Sequence, residues 1–218
     1  MKRLIGGFVL VLMSSVAIAS PWSVRVQGGV AYALNANGNG EALFSPVAQS
    51  CGCRVSSRIV TQEPAARVTA RYAFSRRWAL SFGAFAADRF VSDGAAYVSA
   101  TTSEPITVSD RILGDTVLGV FRGGAHRFRW RVGAGVAVTR DSETSTITVN
   151  GTTYAAQAAS IVTSVALEGG LGYGFTRHWG LTASVLYIPS VGTSETATTG
   201  QYTNGPLLIS GLGVSYRF

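Results

Sequence analysis

The chain is 218 residues long, the size of one ordinary domain. It carries 18 Lys and Arg against 11 Asp and Glu, only 13% of its residues are charged, and its mean hydropathy is mildly positive at +0.27. That balance is too apolar for a soluble chain facing only water and its own small core, so a second apolar surrounding is expected.

Met1 to Ala19 reads as a secretory signal. Lys2 and Arg3 precede an apolar run from Leu4 to Met13, and small residues end in Ala17-Ile18-Ala19, with cleavage expected after Ala19. The division is therefore 1–19 signal peptide and 20–218 mature domain. Losing Lys2 and Arg3 leaves 16 basic residues, all arginine, against 11 acidic ones. An exported chain has little access to nucleic acid, so no nucleic-acid partner is expected. No later stretch is long enough for a spanning helix, and a closed barrel is then the remaining way to cross a membrane with every backbone group bonded.

Eight segments with a period of two follow, the pattern of apolar residues facing lipid and small or polar ones facing a lumen. The first, Trp22 to Asn35, sets Trp22, Val24, Val26, Val30 and Tyr32 against Ser23, Arg25, Gln27, Gly29 and Ala31. Cys51 and Cys53 fall in the next connection, where a local disulfide and free thiols both stay open and a metal site lacks further soft ligands. The second segment, Pro64 to Phe74, opposes Val68, Ala70 and Tyr72 to Arg67, Thr69 and Arg71. The third opposes Trp78, Leu80 and Phe82 to Ser81, Gly83 and Phe85. For the fourth, Arg111 to Phe121, placing Asp115 inward puts Leu113, Val117 and Phe121 inside and Thr116, Leu118 and Val120 outside. The fifth opposes Phe128, Trp130, Val132, Val136 and Val138 to Arg127, Arg129, Arg131, Gly133 and Gly135. The sixth opposes Val165, Leu167, Leu171 and Tyr173 to Glu168, Gly170, Gly172 and Gly174. The seventh opposes Trp179, Leu181, Val185 and Tyr187 to Gly180, Thr182 and Ser184. The eighth ends the chain, with Leu212, Val214, Tyr216 and Phe218 opposite Gly211, Gly213, Ser215 and Arg217.

Connections alternate short and long. Ser75 to Arg77, Arg122 to Ala125 and Thr176 to Arg177 are short, and the others are much longer. Short periplasmic turns and long outer loops are the asymmetry of membrane barrels, which places both termini in the periplasm. Aromatic residues crowd beside the short turns, where an interfacial girdle belongs. A secreted β-sandwich also alternates, but its outward face is polar, and here the richer apolar face carries the aromatics. The fold class expected is all-β, an eight-stranded antiparallel up-and-down transmembrane barrel.

The repeated turn units Tyr72-Ala73-Phe74-Ser75-Arg76-Arg77-Trp78 and Tyr173-Gly174-Phe175-Thr176-Arg177-His178-Trp179, with the C-terminal Leu212-Gly213-Val214-Ser215-Tyr216-Arg217-Phe218, resemble the small outer-membrane β-barrels of the OmpA, OmpX and OmpW type. The resemblance spans the mature chain. It implies residence among outer-membrane lipid and lipopolysaccharide, and an assembly signal at Tyr216 and Phe218 that the barrel-assembly machinery reads. It implies no particular cargo.

Inward positions gather Arg25, Arg67, Arg71, Arg129, Arg131 and Arg217 with Asp115 and Glu168. An eight-stranded interior is just wide enough for side chains, so these charges either pair into a polar plug or line a narrow passive path that favours anions. Gly169 to Gly174 imitates a phosphate loop but lacks the helix that follows one. No catalytic set is expected: His126 and His178 sit at short turns, and Asp88, Asp93 and Asp110 lie near outer strand ends without a partner base. Neither cofactor nor metal is implied. Asn150-Gly151, between Thr144 to Val149 and Thr152 to Ala156, is a hairpin signal that extends strands five and six outward as a ribbon. A strand edge there can recruit an extracellular protein, which makes surface adhesion the alternative function.

Overall fold

The computed structural model describes residues 21–33, 54–59, 62–97, 103–149, 151–196, 200–204 and 206–218. The expected signal segment and the Cys51 and Cys53 pair lie outside the described residues. Among the described residues eleven strands are formed: β1 (Trp22–Ala33), β2 (Arg54–Ile59), β3 (Gln62–Ala73), β4 (Trp78–Tyr97), β5 (Ser103–Ala125), β6 (Phe128–Val149), β7 (Thr152–Gly174), β8 (Trp179–Ile188), β9 (Gly192–Thr196), β10 (Gly200–Asn204) and β11 (Leu207–Arg217). Nine of them make one antiparallel sheet in the order β2-β4-β3-β1-β11-β8-β7-β6-β5, and pairing of β4 with β5 closes it. β2 bonds to the outer end of β4 while β3 bonds to its inner end. They share one wall position, so the ring is eight strands round. β9 and β10 form a separate hairpin.

Alternation along each strand turns directly into inside and outside. On β8 the burial alternates from Trp179 to Ile188, with Thr182, Ser184, Leu186 and Ile188 buried and Leu181 and Val185 exposed. The outer belt is apolar from Phe128 to Val138 on β6, eleven residues, which matches the roughly 9–11 residues that a tilted strand needs to cross a bilayer. Only lipid removes such a belt from water, because scattered apolar exposure is ordinary but a continuous band is not. At the short-turn end the rings touch, Trp78 with Phe121 at 5.0 Å, Phe121 with Trp130 at 5.6 Å and Trp179 with Tyr216 at 4.9 Å between centroids.

The turns are built locally. Ser75 Oγ accepts from the Trp78 backbone N–H at 2.9 Å, and Thr176 Oγ1 accepts from the Trp179 N–H at 2.8 Å, so both repeated units use a hydroxyl to close the turn. The link expected at Arg122 to Ala125 belongs instead to β5, and the turn is His126-Arg127, with His126 at φ 55°. β5 pairs with β6 through Ala125 and Phe128, which leaves two residues for the reversal.

Two expectations about β5 are corrected. Asp115 faces outward with Leu113 and Val117, whereas Ile112, Thr116, Leu118 and Val120 are buried in the lumen. Register decides it: Leu118 stands opposite inward Ser81 and Asp115 opposite outward Ala84, and residues directly opposite in an antiparallel ladder share a face. The lumen needs large apolar side chains to fill it at this height, and β5 supplies them. Both faces of β5 carry aliphatic residues, so its own alternation did not state which was which.

Candidate functional site

Glu168 on β7 points into the lumen and is 3% exposed. Its Oε1 accepts from Arg25 Nη1 on β1 at 2.9 Å and from Arg131 Nε on β6 at 2.8 Å, and its Oε2 accepts from Arg67 Nη2 on β3 at 2.7 Å. Arg71 Nη2 stands further off, 3.9 Å from Oε1. One carboxylate therefore serves four guanidinium groups, and three positive charges are left over. Gln27 extends the network, taking Arg25 Nη1 and Ser184 Oγ on its Oε1 and giving its Nε2 to Thr182 Oγ1. Such a network holds its members in place only while each charge stays partnered.

Above this layer, toward the long-strand end, the lumen is mainly apolar, with Thr116, Thr139 and Asp141 buried among the aliphatic residues. Phe85, Ile112, Leu186, Ile188 and Leu207 are buried to within a few per cent, and Leu118 is fully buried. The ring of Phe85 lies over Gly114 in the space where a Cβ would stand. Thr139 Oγ1 donates to Val191 O at 2.6 Å, and buried Val191 brings the segment after β8 over the opening.

Below the charged layer, toward the short turns, a cavity of about 770 Å³ opens to the outside. Arg25, Arg71 and Arg131 form its deep end, Arg122, Arg129 and Arg217 its sides, and Arg76, Arg77 and Arg177 lie near its mouth. Among the described residues no Asp or Glu lines it. Arg25 Nη2 and Arg71 Nε and Nη2 are buried and have no hydrogen-bond partner in the protein.

Of the sequence-derived set, Arg25, Arg67, Arg71, Arg131 and Glu168 meet. Arg129 and Arg217 are exposed at the cavity side and make no ion pair with Glu168. Asp115 is on the opposite surface of the wall and is corrected out of the interior network. Gln27, Thr182 and Ser184 join the site although no special role was expected of them. Their inward parity was visible, but β1 and β8 flank β11, and Gln27 reaches Thr182 over Gly213 of that strand, so their meeting follows only from closure of the first strand on the last. Tyr216 packs its ring against Phe218 at 5.1 Å and Trp179 at 4.9 Å. His178 is exposed, with Nδ1 2.8 Å from Arg217 O. Backbone pairing sets Asp110 beside Phe90 and Asp93 beside Thr107.

No protein-family profile matches the chain, and no curated protein sequence does. Solved structures do resemble it. The outer membrane protein OprG from Pseudomonas aeruginosa superposes with a TM-score of 0.50 at 16% identity, over 91% of this chain and 97% of that one. This is the fold of a small outer-membrane β-barrel. Ail, the attachment invasion locus protein of Yersinia pestis, matches over 92% of this chain and all of its own, at 15% identity and a TM-score of 0.47. The outer membrane protease OmpT from Escherichia coli matches over 94% and 99% of the two chains, at 9% identity and a TM-score of 0.49.

Proposed function

We propose that this chain is a non-enzymatic outer-membrane barrel, with its termini in the periplasm, that acts at the cell surface by adding an extended protein segment to the outer edge of β7. The observation that carries the reading is the length and pairing of β7. It runs 23 residues, about 75 Å of strand at ~3.3 Å per residue, more than twice what a bilayer crossing needs. It bonds to β8 only over Leu167–Gly174. Among the described residues, the outer stretch from Thr152 to Ala159 is held in the sheet through β6 alone. That stretch, Thr-Thr-Tyr-Ala-Ala-Gln-Ala-Ala, has no charge, no proline and no glycine, the devices that keep an edge from pairing with another chain.

The mainly apolar packing of the outer lumen supports the same reading, since it favours a filled interior over the narrow-conduit reading. In this reading outer-membrane lipid and lipopolysaccharide surround the belt, and the C-terminal Tyr216 and Phe218 are the handle for the barrel-assembly machinery.

The test is a pair of variants in whole cells that display the protein. Ala155→Lys with Ala159→Lys places charge on two exposed positions of the edge, and a second variant removes residues 144–149 and 152–157 while keeping Asn150-Gly151. Capture of extracellular-matrix proteins by the parent, lost in both variants while the barrel stays folded by heat-dependent gel mobility, is the expected result. Parent cells that capture nothing, or variants that capture as well as the parent, overturn it.

A further inference from the structure

The cavity at the short-turn end does nothing for a surface function, yet nine arginines line it. Three features set it apart from a solvated rim. Its deep end consists of arginines held from behind: Arg25 and Arg131 are pinned by Glu168 at 2.9 and 2.8 Å, so their remaining donors are fixed in direction. Arg25 is 4% exposed, and its Nη2, like Nε and Nη2 of Arg71 and Nε and Nη1 of Arg67, is buried without a hydrogen-bond partner among the described residues; Arg71 Nη2 has only its 3.9 Å ion pair with Glu168. Among the described residues no Asp or Glu side chain lines the space, so none of them neutralises the three charges that Glu168 leaves over. A buried cation without a counter-charge is costly, and an anion that entered would relieve that cost.

We propose that this cavity is a binding site for a multiply charged anion of the phosphate class, held at its deep end by Arg25, Arg71 and Arg131. Two of the guanidinium groups come from the neighbouring strands β1 and β3 and the third from β6, on another part of the ring. Donors converging from two sides suit a tetrahedral oxyanion, whose oxygens do not lie in one plane, better than a planar carboxylate. The apolar layer above makes the site a dead end, so the ligand binds and leaves by the same mouth. A cavity of about 770 Å³ accommodates more than one phosphate, and Arg129 and Arg217 at its side are placed for a second. The site stands whether or not β7 recruits a partner. With the termini in the periplasm, the ligand arrives from the periplasm, either as a soluble phosphate compound or as a lipid headgroup of the inner leaflet.

Titration calorimetry of the full mature barrel in uncharged detergent, with inorganic phosphate, pyrophosphate and citrate as probes, tests it. Pyrophosphate should bind one to one and more tightly than phosphate, and binding should weaken as salt is added. Arg71→Gln is the variant of choice because Arg71 makes no hydrogen bond to Glu168, and it should lose affinity about tenfold or more, as expected for one charge-assisted contact. Arg129→Gln, at the exposed side, should lose less and keeps the test alive if Arg71→Gln fails to fold. Repeating the titration in nanodiscs that contain phosphatidylglycerol separates the sources: undiminished pyrophosphate binding assigns a soluble ligand, and competition assigns a headgroup. No binding by the folded barrel, equal binding by both variants, or citrate binding as tightly as pyrophosphate overturns the proposal.

Discussion

Arg131 and Gly170 face each other across the β6–β7 ladder, and the guanidinium of the first occupies the space above the second: a Cβ on Gly170 would stand 2.6 Å from Arg131 Cζ and Nη2. The missing side chain of one residue is what lets the other reach Glu168. Gly170→Ala should therefore displace Arg131 and weaken the bond from its Nε to Glu168, at a cost of about 1–3 kcal/mol. Gly172→Ala is the control, since the nearest atom to its Cβ is Leu181 O at 3.5 Å. Urea titration of both variants refolded in lipid vesicles measures the difference, and equal midpoints would count against the geometry.

Glu168 is the one carboxylate among four arginines. Glu168→Gln keeps its shape and removes its charge, which leaves the cluster with uncompensated buried cations. A loss of about 3–5 kcal/mol is expected, read from the same titration. Adding Arg67→Met to Glu168→Gln should recover part of that loss, because it deletes one of the stranded charges together with its partner. A single variant that folds with parental stability would mean that water solvates the cluster.

Apolar packing above the charged layer predicts electrical silence. The purified barrel in planar bilayers should show no discrete conductance steps in either polarity. Phe85→Ala, which empties the volume over Gly114, should cost about 3–5 kcal/mol for a fully buried aromatic ring. Steps in the parent, abolished or altered by Arg131→Ala, would restore the conduit reading.

Asp115 separates two registers of β5. On the outer surface, opposite Val138 and Ala84, it sits on the lipid side, and Asp115→Leu should leave stability unchanged or raise it by up to about 1 kcal/mol. An inward Asp115 would instead neutralise arginine, and its loss would destabilise the barrel. Leu118→Asp provides the mirror test, and it should prevent folding because Leu118 is fully buried.

Seven of the eight wall strands were legible because their two faces differ in kind. Arg25, Arg67 and Glu168 alternate with Val24, Val26, Val68 and Leu167, and a period of two with unlike faces leaves one choice of inside. The β5 segment failed at that step. Leu113 and Val117 on one face and Leu118 and Val120 on the other are alike to any pattern, and the single Asp pointed the wrong way. The outward growth of β6 and β7 beyond the belt was readable from Asn150-Gly151, and the two strands do meet at Val149 and Thr152, with Gly151 at φ 76°. The comparable extension of β4 and β5, to Tyr97 and from Ser103, had no such turn signal and was expected as loop.

By itself the sequence determined that the chain makes a barrel with arginine on the inside, because alternation and turn spacing are local properties that survive without knowledge of neighbours. Which arginines share Glu168, that Gln27 reaches Thr182 over Gly213 of the intervening strand, and that the interior is arginine-rich at one end and mainly apolar at the other came only with ring closure. Contacts across a lumen join strands that are far apart in the chain and not adjacent in the sheet, and their partners are set by stagger around the ring, a quantity that no single strand contains.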